Sequence, residues 1–214
     1  MKQKDVIKNI SGSQREILEG IIKLYCPEGF DADVTYSKGN FYDGIPKPKY
    51  KFDLNPQFSD VVKSDCRNLP LPDDSLKSLV IDLPFMPTTP VTKTNNNIMH
   101  KRFSYVNGVD NLYKLYFEAL DEIYRVLRED GVCIFKCQNF ISSGKQHLID
   151  VNIVNYACSI GFYPIDRFIF HAKNRPISGK HKNQKHSRNY TSMYLIFVKQ
   201  KSPVMYPYSH QKLI

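Results

Sequence analysis

Four short runs of β-branched and aromatic residues, separated by turns that contain glycine and proline, follow one another in the first half of the chain. They span Phe30–Tyr36, Lys49–Leu54, Val61–Ser64 and Leu79–Asp82, and each has the length and composition of a β-strand. An aspartate lies within, closes or directly follows each run: Asp33, Asp53, Asp65 and Asp82. In α/β sheets, ligands bind outside the carboxyl ends of the strands. The pattern therefore predicts a sheet with carboxylates at its ligand-binding edge.

Helical periodicity marks three further segments. Ser13-Gln-Arg-Glu16 has the spacing of a capping box and opens a helix over about residues 14–25. An amphipathic helix follows Asp110 and is expected to end at Gly131, and a weaker one covers about residues 147–159. The runs 132–137, 163–171 and 192–199 complete the predicted strands. Strands alternating with helices predict an α/β fold. Its sheet should be mostly parallel, seven-stranded and covered on both faces, with an antiparallel edge hairpin.

Composition restricts the setting of this fold. The 214 residues suffice for one α/β domain and are too few for two of ordinary size, so a single domain over 1–214 is expected. No apolar run approaches the ~20 residues of a membrane helix, and residues 1–8 lack the apolar core of a secretory signal, which predicts a cytoplasmic protein. The five cysteines include no CxxC pair, and the six histidines lie at no paired ligand spacing, so neither disulfides nor a metal site is expected.

The segments after the first three strands outline a nucleoside pocket. Asp33-Val-Thr-Tyr-Ser-Lys-Gly39 leads from a strand into a loop whose glycine lets backbone amides approach a ligand. Taken alone, this segment is equally compatible with an ordinary β-turn. Asp53 lies where a carboxylate can accept hydrogen bonds from the two ribose hydroxyls of a nucleoside. Asp65 begins the next loop and can face the same pocket.

The fourth strand ends in Asp82-Leu-Pro-Phe85, which suits chemistry on an amine. An exocyclic amine of a base is a poor nucleophile because its lone pair is delocalised into the ring. The Asp82 carboxylate and the Leu83 carbonyl can orient such an amine and hold its developing positive charge. The Phe85 ring can stack on a base that has been flipped out of a helix. In isolation, a strand-to-loop turn with a buried phenylalanine would be the simpler interpretation.

Taken in order, these segments resemble the amino-methyltransferases that modify adenine N6 or cytosine N4 in DNA, including small phage and bacterial DNA methylases. The resemblance runs from about residue 13 to residue 198. Motif I of those families, D-P-x-x-G-x-G, matches Asp33–Gly39, with Val34 in place of proline and Ser37 in place of the first glycine. Motif IV, [DNS]-P-P-[YFW], matches Asp82–Phe85, with Leu83 in place of the first proline.

The resemblance implies a Rossmann-like class I methyltransferase fold with S-adenosylmethionine as its cofactor. It places catalysis on Asp82, Leu83, Pro84 and Phe85, and cofactor contacts on Asp33, Tyr36, Ser37, Gly39, Asp53, Asp65 and Cys66. Aspartate in first place of motif IV favours adenine N6 over cytosine N4. RNA amino-methyltransferases share this motif, so RNA stays open as the substrate. The substitutions at Val34, Ser37 and Leu83 also leave open a catalytically silent nucleic-acid-binding module on the same fold.

The formal charge of +9 favours polyanionic partners. The densest basic stretch, 172–189, holds six Lys or Arg and no acid between the last two predicted strands. The segment 84–108 reads as a substrate loop that is longer than structural connections usually are. The candidate nucleic-acid contacts in these loops are Lys101, Arg102, Lys180, Lys182, Lys185 and Arg188. No ~100-residue stretch is left for a target-recognition domain. Specificity is therefore expected from the loops, from a second copy in a homodimer, or from another protein.

Overall fold

The computed structural model of the chain describes residues 6–87, 106–174 and 183–200. The helices within these ranges are α1 at Gln14–Tyr25, α2 at Val109–Val126 and α3 at Ile149–Ile160. The main sheet contains the strands β1 Ile10–Ser11, β2 Ala32–Asp33, β3 Tyr50–Asp53, β4 Val62–Lys63, β5 Leu76–Asp82, β6 Leu127–Cys137, β9 Phe162–His171 and β10 Thr191–Lys199. A separate hairpin pairs β7 Phe140–Ser142 with β8 Lys145–His147.

The strands of the main sheet lie in the order β1-β9-β10-β6-β5-β2-β3-β4. All are parallel to one another except β10, which is antiparallel to both of its neighbours. The α/β class, the mostly parallel sheet and the β9–β10 hairpin agree with the prediction. The hairpin does not form the edge, however, because Ile10 and Ser11 pair with Ile169 and Phe170 outside it. This pairing supplies an eighth strand that was not predicted.

Two apolar layers cover the sheet. α2 and α3 pack on one face, and α1 packs on the other together with a short 3-10 helix at Asn40–Tyr42. Alternate residues of β5 serve both layers, since Leu79 and Ile81 face α2 and α3 whereas Val80 faces α1. All three side chains are fully buried, and burial of such a side chain contributes about 1.5–3 kcal/mol. The sheet is therefore fixed from both faces.

The predicted capping box at the start of α1 is present in a modified form. Ser13 Oγ accepts the backbone N–H of Glu16 at 3.3 Å. The Glu16 carboxylate accepts the hydroxyl of Ser11 at 2.6 Å, and Ser11 Oγ accepts the backbone N–H of Ser13 at 2.9 Å. The reciprocal bond of the box is thus relayed through Ser11. This relay holds the start of α1 next to β1.

The predicted end of the second helix at Gly131 is wrong. α2 ends at Val126, and Leu127 already begins β6. The chain then bulges before regular pairing with β5 resumes. Asp130 has a φ of 60° inside this bulge, and a Cβ on Gly131 would lie 2.7 Å from the carbonyl oxygen of Arg128. The glycine therefore serves a bulge in a strand and not a helix cap.

Short connections join β2, β3, β4 and β5. No α-helix intervenes between Asp33 and Leu76, all of which the structure describes. The predicted strand over 30–36 is reduced to Ala32 and Asp33, although the N–H groups of Val34 and Tyr36 still donate to the Val80 and Phe52 carbonyls of the neighbouring strands. Of the helices in the described ranges, none is long and apolar enough to cross a membrane.

Candidate active site

A cleft of about 470 Å³ opens at the carboxyl ends of β2, β3, β4 and β5. Its volume lies within the ~300–1,000 Å³ that is usual for small-molecule sites. Four segments that follow these strands line it: Val34, Thr35 and Ser37; Asp53, Leu54 and Asn55; Asp65, Cys66 and Arg67; and Asp82, Leu83 and Pro84. The remaining lining residues come from α2 and the residues before it: Val106, Asn107, Asn111, Lys114 and Leu115. The four predicted segments therefore meet at one cavity.

The Asp53 carboxylate joins the loop after β2 to the end of β3. Its Oδ2 accepts the backbone N–H of Ser37 at 2.7 Å, and its Oδ1 accepts the backbone N–H of Asn55 at 2.7 Å. Ser37 has a φ of 50°, in the left-handed region that glycine adopts most readily. The serine therefore keeps a backbone conformation suited to the glycine that it replaces. Each oxygen of Asp53 retains lone-pair capacity for a hydroxyl donor in the cleft.

Asp33 is buried behind the cleft, in a network that reaches Asp82. Its Oδ2 accepts the Tyr42 hydroxyl at 2.7 Å. Its Oδ1 accepts the backbone N–H of Thr35 at 2.7 Å and the Thr35 hydroxyl at 3.2 Å. The same hydroxyl oxygen accepts the backbone N–H of Asp82 at 2.8 Å. Thr35, which the sequence did not single out, thus links the end of β2 to the end of β5.

Burial raises the pKa of Asp33 from its ordinary value of 3.8 to about 7. The hydrogen bonds from Tyr42 and Thr35 oppose this shift, whereas the negative charge of Asp82 adds to it. The folded state therefore keeps a proton on Asp33 at pH values where the unfolded chain has lost it.

We expect the free energy of unfolding to fall as the pH rises from about 4 to about 7, because unfolding in this range releases the proton that the buried Asp33 holds. Each unit of pKa difference corresponds to about 1.4 kcal/mol. Asp33→Asn is uncharged and keeps an acceptor for Thr35, so it should flatten this part of the profile. Denaturant unfolding across the window measures the effect, with the exposed Asp43→Asn as the matched control. A profile of Asp33→Asn as steep as that of the wild type would contradict the assignment.

Asp65 is directed towards Arg67, and both residues line the cleft. Arg67 donates to Asp65 Oδ1 from its backbone N and Nε at 3.0 Å each, and to Oδ2 from its guanidinium at 2.7 Å. The same guanidinium donates to Glu118 of α2 at 3.0 Å. The hydrogen bonds from Arg67 lower the pKa of Asp65. Burial raises the pKa of Cys66 to about 12, so its thiol stays protonated and is no nucleophile at neutral pH.

The turn after Asp82 is held by packing and by α2. The Tyr116 hydroxyl donates to the Pro84 carbonyl oxygen. The Leu83 side chain is 6% exposed and belongs to the apolar layer under α2 and α3. On the other side, the N–H of Asp82 is bound to the Thr35 hydroxyl. The turn is thereby fixed without the proline that the motif places at position 83.

Lys136 is a second polar residue that sequence reasoning missed: it does not itself line the cleft but contacts Asp82, which does. It pairs with Asp82 in the register of β5 and β6, and its Nζ lies 3.0 Å from Asp82 Oδ2. The rings of Phe41, Phe85 and Tyr194 surround the ammonium, with centroids 5.0, 5.5 and 5.5 Å away. Burial raises the pKa of Asp82, and the charge of Lys136 lowers it. The sequence did contain a sign of this residue's role, because Lys136 is the one charged residue in the otherwise apolar predicted strand 132–137.

Four predicted site residues do not line the cleft. Asp33 lies behind it, and Tyr36 is 4% exposed within an aromatic cluster. Gly39 has a φ of 69°, and a Cβ on it would lie 2.5 Å from the hydroxyl of Tyr36. The ring of Phe85 lies beside the ammonium of Lys136. Asp33, Tyr36 and Gly39 shape the loop that carries Ser37. This structural role accounts for their presence without a ligand contact.

Part of the predicted nucleic-acid surface lies within the described residues. Lys185 and Arg188 are exposed, whereas Lys101, Arg102, Lys180 and Lys182 lie outside the described ranges. Asn189 donates from Nδ2 to the Asn139 carbonyl at 2.6 Å, just beyond the end of β6. Because β10 is antiparallel to β6 and β9, it begins at the sheet edge where β5 and β6 end. The basic segment therefore meets the sheet on the same edge as the cleft.

No protein-family model and no curated protein sequence matches the chain. Solved structures do match it, and methyltransferases are prominent among them. Together with the sheet order, the matches that reach a TM-score of 0.50 show a Rossmann-like α/β fold of the methyltransferase type. The predicted fold is thereby confirmed.

Three of the similar structures illustrate the match. TrmN from Thermus thermophilus is 11% identical, the match covers 86% of this chain and 48% of that one, and the TM-score is 0.50. NodS from Bradyrhizobium japonicum WM9, an N-methyltransferase in complex with S-adenosyl-L-homocysteine, is 10% identical over 86% of each chain, with a TM-score of 0.49. The cytosine-N4-specific PvuII DNA methyltransferase is 14% identical over 65% of this chain and 49% of that one, with a TM-score of 0.47. Similarity at these identities concerns the fold, so the substrate has to be argued from the residues.

Proposed function

We propose that this protein transfers a methyl group from S-adenosylmethionine to an exocyclic amine of a nucleic-acid base, with adenine N6 in DNA as the preferred target. The position of Asp82 carries the proposal. Asp82 ends β5 with a side chain that is 26% exposed, on the cleft that Asp53 and Asp65 also line. An amine acceptor and a nucleoside-type pocket are therefore neighbours, as methyl transfer between the two ligands requires.

The cleft residues suit S-adenosylmethionine. Asp53 offers both carboxylate oxygens to the ribose hydroxyls, and its bond to Ser37 keeps the loop after β2 close to the ligand. Asp65 and Cys66 lie after the next strand along the sheet, where the adenine ring of the cofactor would lie. The bound cofactor supplies an electrophilic methyl group, whose C–S bond breaks as the amine nitrogen forms its bond to carbon.

Asp82 and the Leu83 carbonyl accept the two hydrogens of the target amine. This arrangement points the amine lone pair at the methyl carbon and stabilises the positive charge that develops on nitrogen. One proton must then leave the methylated nitrogen, and the Asp82 carboxylate is the nearest proposed acceptor. Phe85 provides a ring on which the flipped base can stack.

The three departures from the family motifs do not disrupt this geometry, which favours an active enzyme over a silent module. The N–H of Val34 donates to the Val80 carbonyl at 3.1 Å, a bond that proline could not make. Ser37 keeps a left-handed backbone. Leu83 is packed into the core beside a turn that Tyr116 holds.

Labelled S-adenosylmethionine, incubated with the protein and either DNA or RNA, tests the proposal after digestion to nucleosides. We expect label in N6-methyladenine from DNA, and far less of it with Asp82→Ala in the same time. Label in RNA alone would assign the activity to RNA. Label in neither polymer, with the cofactor measurably bound, would favour the silent module.

The basic segment is proposed to contact phosphates. Replacing Lys180, Lys182 and Lys185 together with glutamine should reduce the log–log salt dependence of DNA binding by about 2–3 units, because each contact contributes about 0.9. Titrations at several salt concentrations measure this slope. The matched control replaces Lys23, Lys47 and Lys77, which are exposed in the described chain and do not line the cleft. Equal slopes for the wild type and the first variant would remove the segment from the interface. Sequence specificity could still come from a second copy or another protein.

A further inference from the structure

A row of polar residues crosses three neighbouring strands at the proposed catalytic end of the sheet. Asp82 of β5 pairs with Lys136 of β6, and Lys136 pairs with Tyr194 of β10. Paired residues on adjacent strands direct their side chains to the same face. That face is the one covered by α1, because Val80, Ile134 and Ile196 belong to its apolar layer. Asp82, Lys136 and Tyr194 therefore form a polar patch within an apolar surface.

The Lys136 ammonium has more donors than acceptors in the described part of the chain. It donates to Asp82 Oδ2 at 3.0 Å and to Gln14 Oε1 at 3.3 Å, whereas an ammonium carries three N–H donors. Its other described neighbours are the ring faces of Phe41, Phe85 and Tyr194. Tyr194 is fully buried, and its hydroxyl has no hydrogen-bond partner among the described residues. Lys136 therefore has one N–H donor more than the oxygen acceptors that it contacts in the described part of the chain.

Asp82 and Lys136 together match one edge of two bases. Adenine carries its N6 amine beside the ring nitrogen N1, and cytosine carries its N4 amine beside N3. In both cases a donor lies next to an acceptor. A carboxylate beside an ammonium is complementary to this pair, whereas a base with a carbonyl next to a ring N–H presents the reverse pattern. The ring of Phe85 lies beside the same ammonium, and in the proposed function the flipped base stacks on this ring.

We propose that Lys136 determines base specificity. It donates a hydrogen bond to the ring nitrogen that lies next to the target amine, while Asp82 accepts a hydrogen bond from that amine. This inference rests on the proposed methyl transfer and names the feature of the base that the site recognises. Substrate binding would bring the acceptor for the third ammonium donor. Lys136 thereby acts on the substrate directly, besides keeping a positive charge next to Asp82.

Oligonucleotides in which one target adenine is replaced by 1-deazaadenine test the inference, because this analogue keeps the amine and replaces N1 with a C–H group. For the wild type, we expect kcat/KM to be about 10- to 100-fold lower with the analogue, as for a lost hydrogen bond to a charged group. Lys136→Met is similar in size and has no donor, so both substrates should react slowly and the preference for adenine over the analogue should be about 10- to 100-fold smaller than that of the wild type. Lys136→Gln keeps an N–H donor and should give an intermediate ratio.

Comparing ratios between enzymes cancels the intrinsic difference in reactivity between the two amines. Binding of S-adenosylmethionine by each variant shows that the variant is folded. If Lys136→Met does not fold, the ratio for Lys136→Gln is compared with that of the wild type instead. A Lys136→Met ratio equal to that of the wild type would overturn the inference while leaving methyl transfer intact, because a purely structural ion pair predicts that result. Absence of methylation of any nucleic acid by the wild type would instead overturn the proposed function, and this inference with it.

Discussion

Replacing Asp82 with alanine is expected to lower the rate of methyl transfer by about 10²–10³-fold, the usual cost of removing one group that stabilises developing charge. The target amine would lose the carboxylate that orients it, while the cofactor contacts of Asp53 and Ser37 would stay in place. We therefore expect the affinity for S-adenosylmethionine to change by no more than a few-fold. Single-turnover kinetics and calorimetric titration measure the two quantities separately.

The same substitution should also destabilise the fold, because it leaves Lys136 buried without its carboxylate. Breaking a fully buried pair costs about 3–5 kcal/mol, and the partial exposure of Asp82 reduces this to about 1–3 kcal/mol. Asp82→Ala combined with Lys136→Met removes the unpaired charge, so it should recover stability without recovering activity. Asp82→Asn keeps one acceptor and should retain more activity than alanine. Wild-type turnover by Asp82→Ala would exclude Asp82 from the chemistry.

Replacing Asp53 with alanine is expected to weaken S-adenosylmethionine binding by about 100-fold or more. Each hydrogen bond to a charged group contributes about 1.5–3 kcal/mol, and Asp53 is positioned to accept two from the ribose. The backbone N–H groups of Ser37 and Asn55 would lose their acceptor as well. Isothermal titration of the variant measures the loss. Asp60→Ala is the matched control, because Asp60 lies on the exposed surface after the same strand and pairs with Lys51.

A ligand comparison separates the ribose contact from the support of the loop. If Asp53 binds the ribose, the variant should lose affinity for adenosine far more than for adenine, which lacks the sugar. Equal losses for both ligands would mean that Asp53 acts only by holding the loop after β2.

The sequence was sufficient to place the four acidic segments on one cleft. Strand-like runs in series and the binding of ligands at the carboxyl ends of strands together determine that Asp53, Asp65 and Asp82 come close to one another. No knowledge of long-range packing is needed for this step. The S-x-x-E spacing at Ser13 likewise located α1, because capping depends on residues only a few positions apart.

The residues that were missed depend on contacts between distant parts of the chain. Lys136 meets Asp82 only because β5 and β6 are neighbours in this sheet and in this register. The Tyr116 hydroxyl reaches the Pro84 carbonyl across 32 positions, so the support of the turn was invisible in the motif. Asp33 and Tyr36 matched a motif, but their burial is set by the 3-10 helix at residues 40–42, which no periodicity revealed.

Gly131 shows a different kind of error. A glycine after an amphipathic run predicts a helix end, and here the preceding residues had already become a strand. Local preference could not distinguish a cap from a bulge, because both use a glycine where a side chain would collide with backbone. The pairing of Leu127 with Leu76, fifty-one positions away, decided between them.

The place of β10 in the sheet has a consequence for biosynthesis. Of the strands that the structure describes, β10 is the last to leave the ribosome, yet it lies between β6 and β9. Before residues up to Lys199 emerge, the nascent chain carries two groups of strands with unpaired inner edges, and such edges readily pair with other chains. Lys136 is also without Tyr194 at that stage. The chain therefore closes its sheet and completes the surroundings of Lys136 in the same late event.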